Sequence, residues 1–579
     1  MAENGPSISG LPVRESPARE TRGFSYKGKT LLSAADPEGR ASRAADSVEI
    51  ADGVLYLCPS PLYGHGLARL LARLAGFPGS ALLCVEAEPE LFALSLENLD
   101  EALRSHPRLR LTDRATGEEL CALARREWGL RAFKSVKLVK LNGGWRLHAA
   151  LYETLAQTLQ NGAAVEWGNA ITMLKLGRTY IRNAIRNLAL VPNRPSLDAA
   201  GLSFGDRPVL ALGAGPSLCE TLDGLSASFG DGLSNPESRP FGIVCVDTCL
   251  PVLRARDITP DLAVILECQH WNLEDFVGLS GWEVPAAMDL SALPRSGGVL
   301  AGGLCLFFTP WARLRIFERL GAAGLLPSAM PPLGSVGLSM AAAALRLGKG
   351  PVVTAGLDFS FTPDMFHARS SPGHKAKLRR QNRFTGILNE AAAFGGSTFA
   401  AVSRNGGKTL SNPGLRNYRD LFERELAPAG AGGSPRLFAV ADGGLPLGVP
   451  SLPPQEAFDV LASGGPAPSA GSAKPARPGE NPKAETLAAF SRAELARLSL
   501  LRNMLAGSSA MDAAKLCLLI DECDYLWAHF PDRAAGRPRP ALPELEAGDA
   551  AAVSFLKRLR VEIDPFCALW EALAKARHS

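Results

Sequence analysis

Four stretches of this 579-residue chain carry side chains whose type and spacing suit chemistry. In the first, the apolar run 208–212 ends in Gly213-Ala214-Gly215-Pro216-Ser217. A buried strand, a Gly-x-Gly turn and a helix start would aim backbone N–H groups and a positive dipole end at one point, which suits a phosphate. Pro216 fits the first helical turn, where its missing N–H costs nothing. In the second, two apolar runs end in polar pairs, Asp247-Thr248 and Glu267 with Gln269. Open parallel sheets bind ligands beyond such carboxyl ends, although an acid there can equally cap a neighbouring helix. In the third, Gly334-Ser335-Val336-Gly337 opens a helical run, and Ser335 is either its N-cap or an anion contact. The fourth is a strand over 351–357 ending in Asp358, followed by a loop over 359–374. That loop holds His367, Arg369 and His374, groups able to move protons or bind anions, and Lys375, Lys377, Arg379, Arg380 and Arg383 follow. Loops held by a rigid sheet are where function concentrates.

The elements needed to position these groups read as α/β. Regular strand–helix alternation from residue 208 onward implies a parallel sheet with helices on both faces. An earlier α/β unit has strands over 54–58 and 81–86 with a turn, Tyr63-Gly64-His65-Gly66, between them. That turn lacks the third glycine of a dinucleotide fingerprint, so the unit reads as a Rossmann-like structural domain. Residues 1–48 read as an extended polar segment, 49–195 as the Rossmann-like N-terminal domain with terminal helices, and 200–455 as the central domain. Residues 463–483 are rich in Pro, Gly, Ala and Ser and read as a linker. Residues 484–579 show helical periodicity and read as an all-helical module, either a dock for a protein acceptor or a stabilising appendage. Arg178, Arg182 and Arg186 would share one helix face, read as solvated rather than as a basic ridge for a ligand. A valine at Gly215 is expected to block close backbone approach of a ligand and to leave the fold intact.

Composition narrows the class. Sixty-two basic and 58 acidic residues leave a formal net charge of +4, which argues against a broad nucleic-acid surface. Eleven cysteines without paired ligand spacing suit buried thiols in a reducing cytoplasm, and no metal site is expected. No apolar run approaches the roughly 18 residues of a membrane span, and the N-terminus has no signal-peptide core.

Gly213-Ala-Gly-Pro-Ser-Leu218, Ile258-Thr-Pro-Asp261, and Gly334-Ser-Val with its helix and Gly356-Leu-Asp358 follow one order. Together they resemble the central domain of motility accessory factor (Maf) flagellin glycosyltransferases. That domain is of the 6-hydroxymethylpterin diphosphokinase (MptE-like) type, and is similar to bacterial sialyltransferases that use CMP-sialic acid. The resemblance covers about 205–375. It implies a sialyltransferase-like central domain in a cytoplasmic enzyme of the flagellum. Such an enzyme moves a CMP-activated nonulosonic acid onto Ser or Thr of flagellin, with no cofactor beyond the sugar donor and neither nucleic acid nor membrane as partner. By resemblance, Gly213, Gly215, Pro216 and Ser217 hold the phosphate or sugar acid. Ser335 and Gly337 contact the cytidine monophosphate side, and Asp358 shapes the site as a catalytic residue; Asp247, Thr248 and Glu267, from their places at strand ends, are read as nucleotide-binding. Two departures stand out: Glu267 where relatives more often have Asp, and Ala214 where they carry a polar residue.

The transfer asks for a general base with a pKa near neutrality, and His367 fits, with His374 behind it. It also asks for stabilisation of the departing phosphate, which the N–H groups of 215–217 and Arg369 could supply. Two alternatives remain open: a Mg-dependent pterin pyrophosphokinase, for which Asp247, Glu267 and Asp358 would hold the ion, and a non-catalytic flagellin-binding accessory protein.

Overall fold

The computed structural model describes residues 23–384, 386–387, 397–430, 435–465, 482–506, 512–534 and 539–575. The chain divides into two compact units. One comprises residues 1–175 with 530–538, the other residues 176–529 with 539–579. The division falls inside one long helix, Ala149–Asn187, rather than at the expected boundary near 195.

The first unit is built on a four-stranded parallel sheet. A hairpin, β1 (Phe24–Tyr26) and β2 (Lys29–Leu32), precedes β3 (Val54–Pro59), β4 (Ala81–Val85), β5 (Leu109–Thr112) and β6 (Ser135–Leu138), which pair in the order β5-β4-β3-β6. Every residue of β3 and β4 is buried, as expected for strands covered on both faces. Their alternation feeds two cores: Val54, Tyr56 and Cys58 join one cluster, Leu55 and Leu57 the other. The described part of the segment read as extended is instead structured, with the hairpin and a helix, Pro37–Ser47. The hairpin seats Phe24, Tyr26, Leu31 and Leu32 on Leu62 and Leu91. Its Lys27 ion-pairs with Glu88 at 2.8 Å, just beyond the carboxyl end of β4. In a nucleotide-binding half-fold that edge receives the ligand; here apolar hairpin side chains and a buried Ser60–Glu86 hydrogen bond of 2.5 Å fill it.

The second unit carries a nine-stranded sheet. Its strands are β7 (Val209–Leu212), β8 (Gly242–Val246), β9 (Leu262–Ile265), β10 (Ala286–Asp289), β11 (Leu304–Phe308), β12 (Ser328–Ala329) and β13 (Val352–Ala355). After an antiparallel pair, β14 (Phe399–Val402) and β15 (Lys408–Ser411), come β16 (Leu437–Val440) and β17 (Ser451–Leu452). The order is β12-β11-β10-β9-β8-β7-β13-β16-β17, parallel throughout. The chain leaves β7 toward β8 and later returns on its other side as β13. The sequence order therefore reverses between β7 and β13, the switch point where open sheets form a crevice.

Two attachments hold helices to this sheet. Asn183 and Asn187, one turn apart on the long helix, donate to the carbonyls of Cys268 (2.9 Å) and Leu290 (2.9 Å), just past β9 and β10. On the same helix Arg178 ion-pairs with Glu562 at 2.9 Å, Arg182 is half-buried and Arg186 exposed, so the series is not one solvated face. The C-terminal helices Pro482–Ala506, Ala513–Glu522 and Ala550–Lys575 are part of this unit rather than a separate appendage. Arg319, on helix Arg315–Ala322, donates to Glu494 Oε1 (3.0 Å) and Glu522 Oε2 (2.8 Å). Glu494, 1% exposed, also pairs with Arg497 and accepts from Tyr525. Removing one member of a buried ion network strands the others, at about 3–5 kcal/mol. Glu494→Ala is therefore expected to lower the urea midpoint sharply and Glu494→Gln less; unchanged midpoints for both would show that the C-terminal helices are not held by this network. Residues 466–481 of the expected linker lie outside the described residues. Among the described residues, no helix is long and apolar enough to cross a membrane.

Candidate active site

A cleft of about 140 Å³ opens at the switch point. Its walls include Gly213, Gly215, Thr248, Ser335, Gly337, Asp358 and His367, together with Phe359, Ser360, Phe366 and Leu415. Seven of the residues singled out from the sequence thus meet across four separate stretches of chain. Pro216, Ser217, Asp247, Glu267 and Arg369 are not among its walls.

The glycine turn does a different job from the one its sequence suggests. Gly213 N–H donates to Ala355 O (2.9 Å), Gly215 N–H to Gly356 O (2.8 Å) and Ser217 N–H to Asp358 Oδ2 (2.8 Å). These donors face the end of β13 and the loop after it, and not a ligand. Neither Gly213 nor Gly215 has a positive φ; Gly356 does, at 66°. What demands glycine is close packing. A Cβ at Gly215 would lie 2.6 Å from Asp358 Cγ and 2.7 Å from Gly356 O, and one at Gly213 would lie 2.5 Å from Gly356 O. The expectation that valine at 215 spares the fold is accordingly overturned. Pro216 stands before the helix, which starts at Leu218 with Ser217 as N-cap.

Asp358 and Ser217 are likewise turned inward. Asp358, 3% exposed, accepts from Ser217 Oγ at 2.5 Å and Ser217 N–H at 2.8 Å. Ser217 Oγ also lies 3.0 Å from Asp442 Oδ2. The single hydroxyl proton thus faces two carboxyl groups. Burial and the neighbouring Asp442 push Asp358 up to about 7. Arg404, also buried, pairs with Asp442 and donates to the carbonyls of Leu357 (3.2 Å) and Leu445 (3.0 Å). Asp358 thus positions the helix start and the loop after β13, where the sequence reading makes it catalytic. Asp442 and Arg404 were missed. The signal for Asp442 was an acid after the strand near 437–440; nothing marked Arg404.

Beyond β8, Asp247 is buried, accepts from Thr248 N–H (2.9 Å) and Asn272 Nδ2 (2.7 Å), and is pushed up to about 6 by burial. Asp275, absent from the sequence reading, shares Asn272 with it and is pushed up to about 7 by burial and by Asp247. Glu267 is exposed and accepts from Gln269 N–H at 2.9 Å. No group of three or more His, Cys, Asp or Glu among the described residues could hold a metal ion.

The groups with free capacity are elsewhere in the cleft. Ser335 caps the helix Val336–Leu347 by position only, since its hydroxyl makes no capping bond. The first N–H groups of that helix have no intrahelical partner and its dipole end is positive. The loop after β13 is held firmly. Phe361 pairs with Leu410 at the start of the loop, Thr362 N–H donates to Met365 O (3.0 Å), and Ala368 N–H donates to Ala214 O (2.9 Å). These bonds fix His367 between two anchored neighbours, edge-on to Phe366. Among the described residues nothing hydrogen-bonds its ring, and burial with the Lys377 charge lowers its pKa. Arg369 is exposed, and His374 sits in the first turn of helix Pro372–Arg380 with Nδ1 buried and unpartnered.

Residues 182–364 match the model of the family described as 6-hydroxymethylpterin diphosphokinase MptE-like. An uncharacterized protein of Treponema pallidum (strain Nichols) is 26% identical over 572 residues, spanning 94% of this chain and 92% of that one. The solved structure of a Maf glycosyltransferase from Magnetospirillum magneticum AMB-1 superposes with a TM-score of 0.52 at 14% identity, covering 99% of this chain and 94% of the other. Residues 182–364 are therefore similar to the MptE-like family, and the fold of the chain is similar to that of a Maf glycosyltransferase.

Proposed function

We propose that the protein is a glycosyltransferase that moves a CMP-activated nonulosonic acid onto a serine or threonine hydroxyl of flagellin. The observation that carries this reading is the switch-point cleft. It brings His367, whose ring has no hydrogen-bond partner among the described residues, into one cleft with the open N-terminus of helix Val336–Leu347. The helix start suits the anionic donor, and the imidazole suits the acceptor. In the reaction the acceptor oxygen attacks the anomeric carbon and the bond from that carbon to the phosphate oxygen breaks. The electron pair leaves with CMP, and the hydroxyl proton passes to His367. A lowered pKa keeps the ring neutral, hence able to accept that proton, at and below pH 7. Asp358, Asp442, Ser217 and Arg404 act on this chemistry only by fixing the two loops that carry its groups.

The match to a diphosphokinase-like family model supports a second reading, diphosphate transfer from ATP to a pterin alcohol. A thermal-shift titration separates them. CMP is expected to raise the melting temperature, as any ligand of the native state does, and ATP with magnesium is not. Stabilisation by ATP that requires magnesium, with none by CMP, would replace the transferase reading with the kinase one.

A further inference from the structure

Residues 369–383 hold six cations, Arg369, Lys375, Lys377, Arg379, Arg380 and Arg383, and no Asp or Glu. Elsewhere in this unit arginines meet carboxylates, as in Arg239–Asp261 (2.6 Å), Arg319–Glu494 (3.0 Å) and Arg346–Asp198 (2.5 Å). None of these six has a carboxylate partner among the described residues. Lys375, Arg379, Arg380 and Arg383 are exposed, so their charge points to solvent rather than into the cleft. The surface is also apolar: Leu378 is 46% and Phe384 84% exposed. Cations interleaved with large apolar side chains match a protein interface better than a steering field for a small anion.

The position completes the case. Helix Pro372–Arg380, about 13 Å long at 1.5 Å per residue, starts against the catalytic candidate. A Cβ at Gly373 would stand 3.5 Å from His367 Nδ1, and Lys377 Nζ lies 5.8 Å from the Phe366 ring. Whatever binds along this helix is delivered beside His367.

We infer that the exposed face of helix Pro372–Arg380, continued by Arg383 and Phe384, docks an acidic segment of the protein acceptor. The inference rests on reading the cleft as one that modifies a protein. Docking by several rim charges acts mainly on encounter and falls with salt, because the screening length is only about 10 Å at 0.1 M.

The test uses full-length protein and the variant Lys375→Gln/Arg379→Gln/Arg380→Gln/Arg383→Gln, which spares His367, Arg369 and Lys377. Fluorescence anisotropy is read with a labelled peptide of Glu, Ser, Thr and Leu, with its Gln-for-Glu counterpart, and with a short oligouridylate. The acidic peptide is expected to bind the parent about tenfold or more tightly than either the Gln peptide or the variant allows, with affinity falling as salt rises. In transfer assays the variant should raise the acceptor KM by a similar factor and leave the donor KM unchanged. Equal binding of the acidic peptide by parent and variant, a rise in donor KM instead, or preference for oligouridylate would each overturn the inference. Peptide binding that is lost in the variant, in a protein that transfers no sugar from any donor, would leave the docking surface standing and remove the transferase reading.

Discussion

His367→Ala is expected to lower sugar transfer by about 10²–10⁴ while CMP affinity stays at the parental value. On the proposed reading the imidazole acts on the acceptor hydroxyl rather than on the nucleotide. The parent rate should fall on the acid side as the ring gains a proton. Because burial and Lys377 hold the pKa below its ordinary 6.5, that fall should begin at a lower pH than for an exposed histidine. The residual rate of the variant should lack this acid limb. Intact-mass analysis of flagellin co-produced with each protein, in a host that makes the CMP-sugar, reads the outcome. Full glycosylation with His367→Ala would remove the residue from the mechanism, and His374, whose Nδ1 is buried and unpartnered beside the same loop, would be next to test. No transfer even with the parent would favour the accessory-protein reading.

The second large effect concerns stability. Asp358→Ala removes the acceptor for Ser217 N–H and one of the two acceptors of Ser217 Oγ, which keeps Asp442, and leaves Arg404 facing Asp442 alone. A buried polar group left without a partner costs about 1–3 kcal/mol, so a loss of about that size is expected from the orphaned Ser217 N–H. Gly215→Val should be comparably damaging, because its Cβ would press on the Asp358 carboxyl and on a backbone carbonyl that cannot yield. Asp358→Asn should be milder, since an amide oxygen still accepts from Ser217. Denaturant midpoints measure all three. Parental stability for Asp358→Ala with abolished transfer would show that this carboxyl takes part in the chemistry and is not a structural clamp.

Much of this was legible in one sequence. Short unbroken apolar runs such as 209–212 and 242–246, bounded by turn residues, read as strands buried on both faces, and their alternation with helices implies a parallel sheet that binds ligands beyond its carboxyl ends. The same reasoning marks Gly213, Thr248, Ser335 and His367, which line the cleft, and Pro216, Ser217, Asp247, Glu267 and Arg369, which do not. Sequence also showed the cationic run after residue 374, because charge is a property of composition.

Direction and partnership were decided only by the tertiary structure. A Gly-x-Gly turn reads the same whether its N–H groups face a phosphate or a neighbouring loop; the return of the chain as β13 beside β7 puts carbonyl oxygens and Asp358 within reach, and hydrogen bonding claims the donors. Asp442 and Arg404 lie 225 and 187 residues beyond Ser217 in sequence, so no spacing rule could join them. The first unit makes the same point in reverse. Its strand–turn–strand grammar suits a nucleotide crevice, yet the β1–β2 hairpin, from a segment that reads as merely polar, buries Phe24 and Leu31 there. Periodicity fixes which face of an element is buried. Only the packed chain decides what that face, or a turn at its end, is buried against.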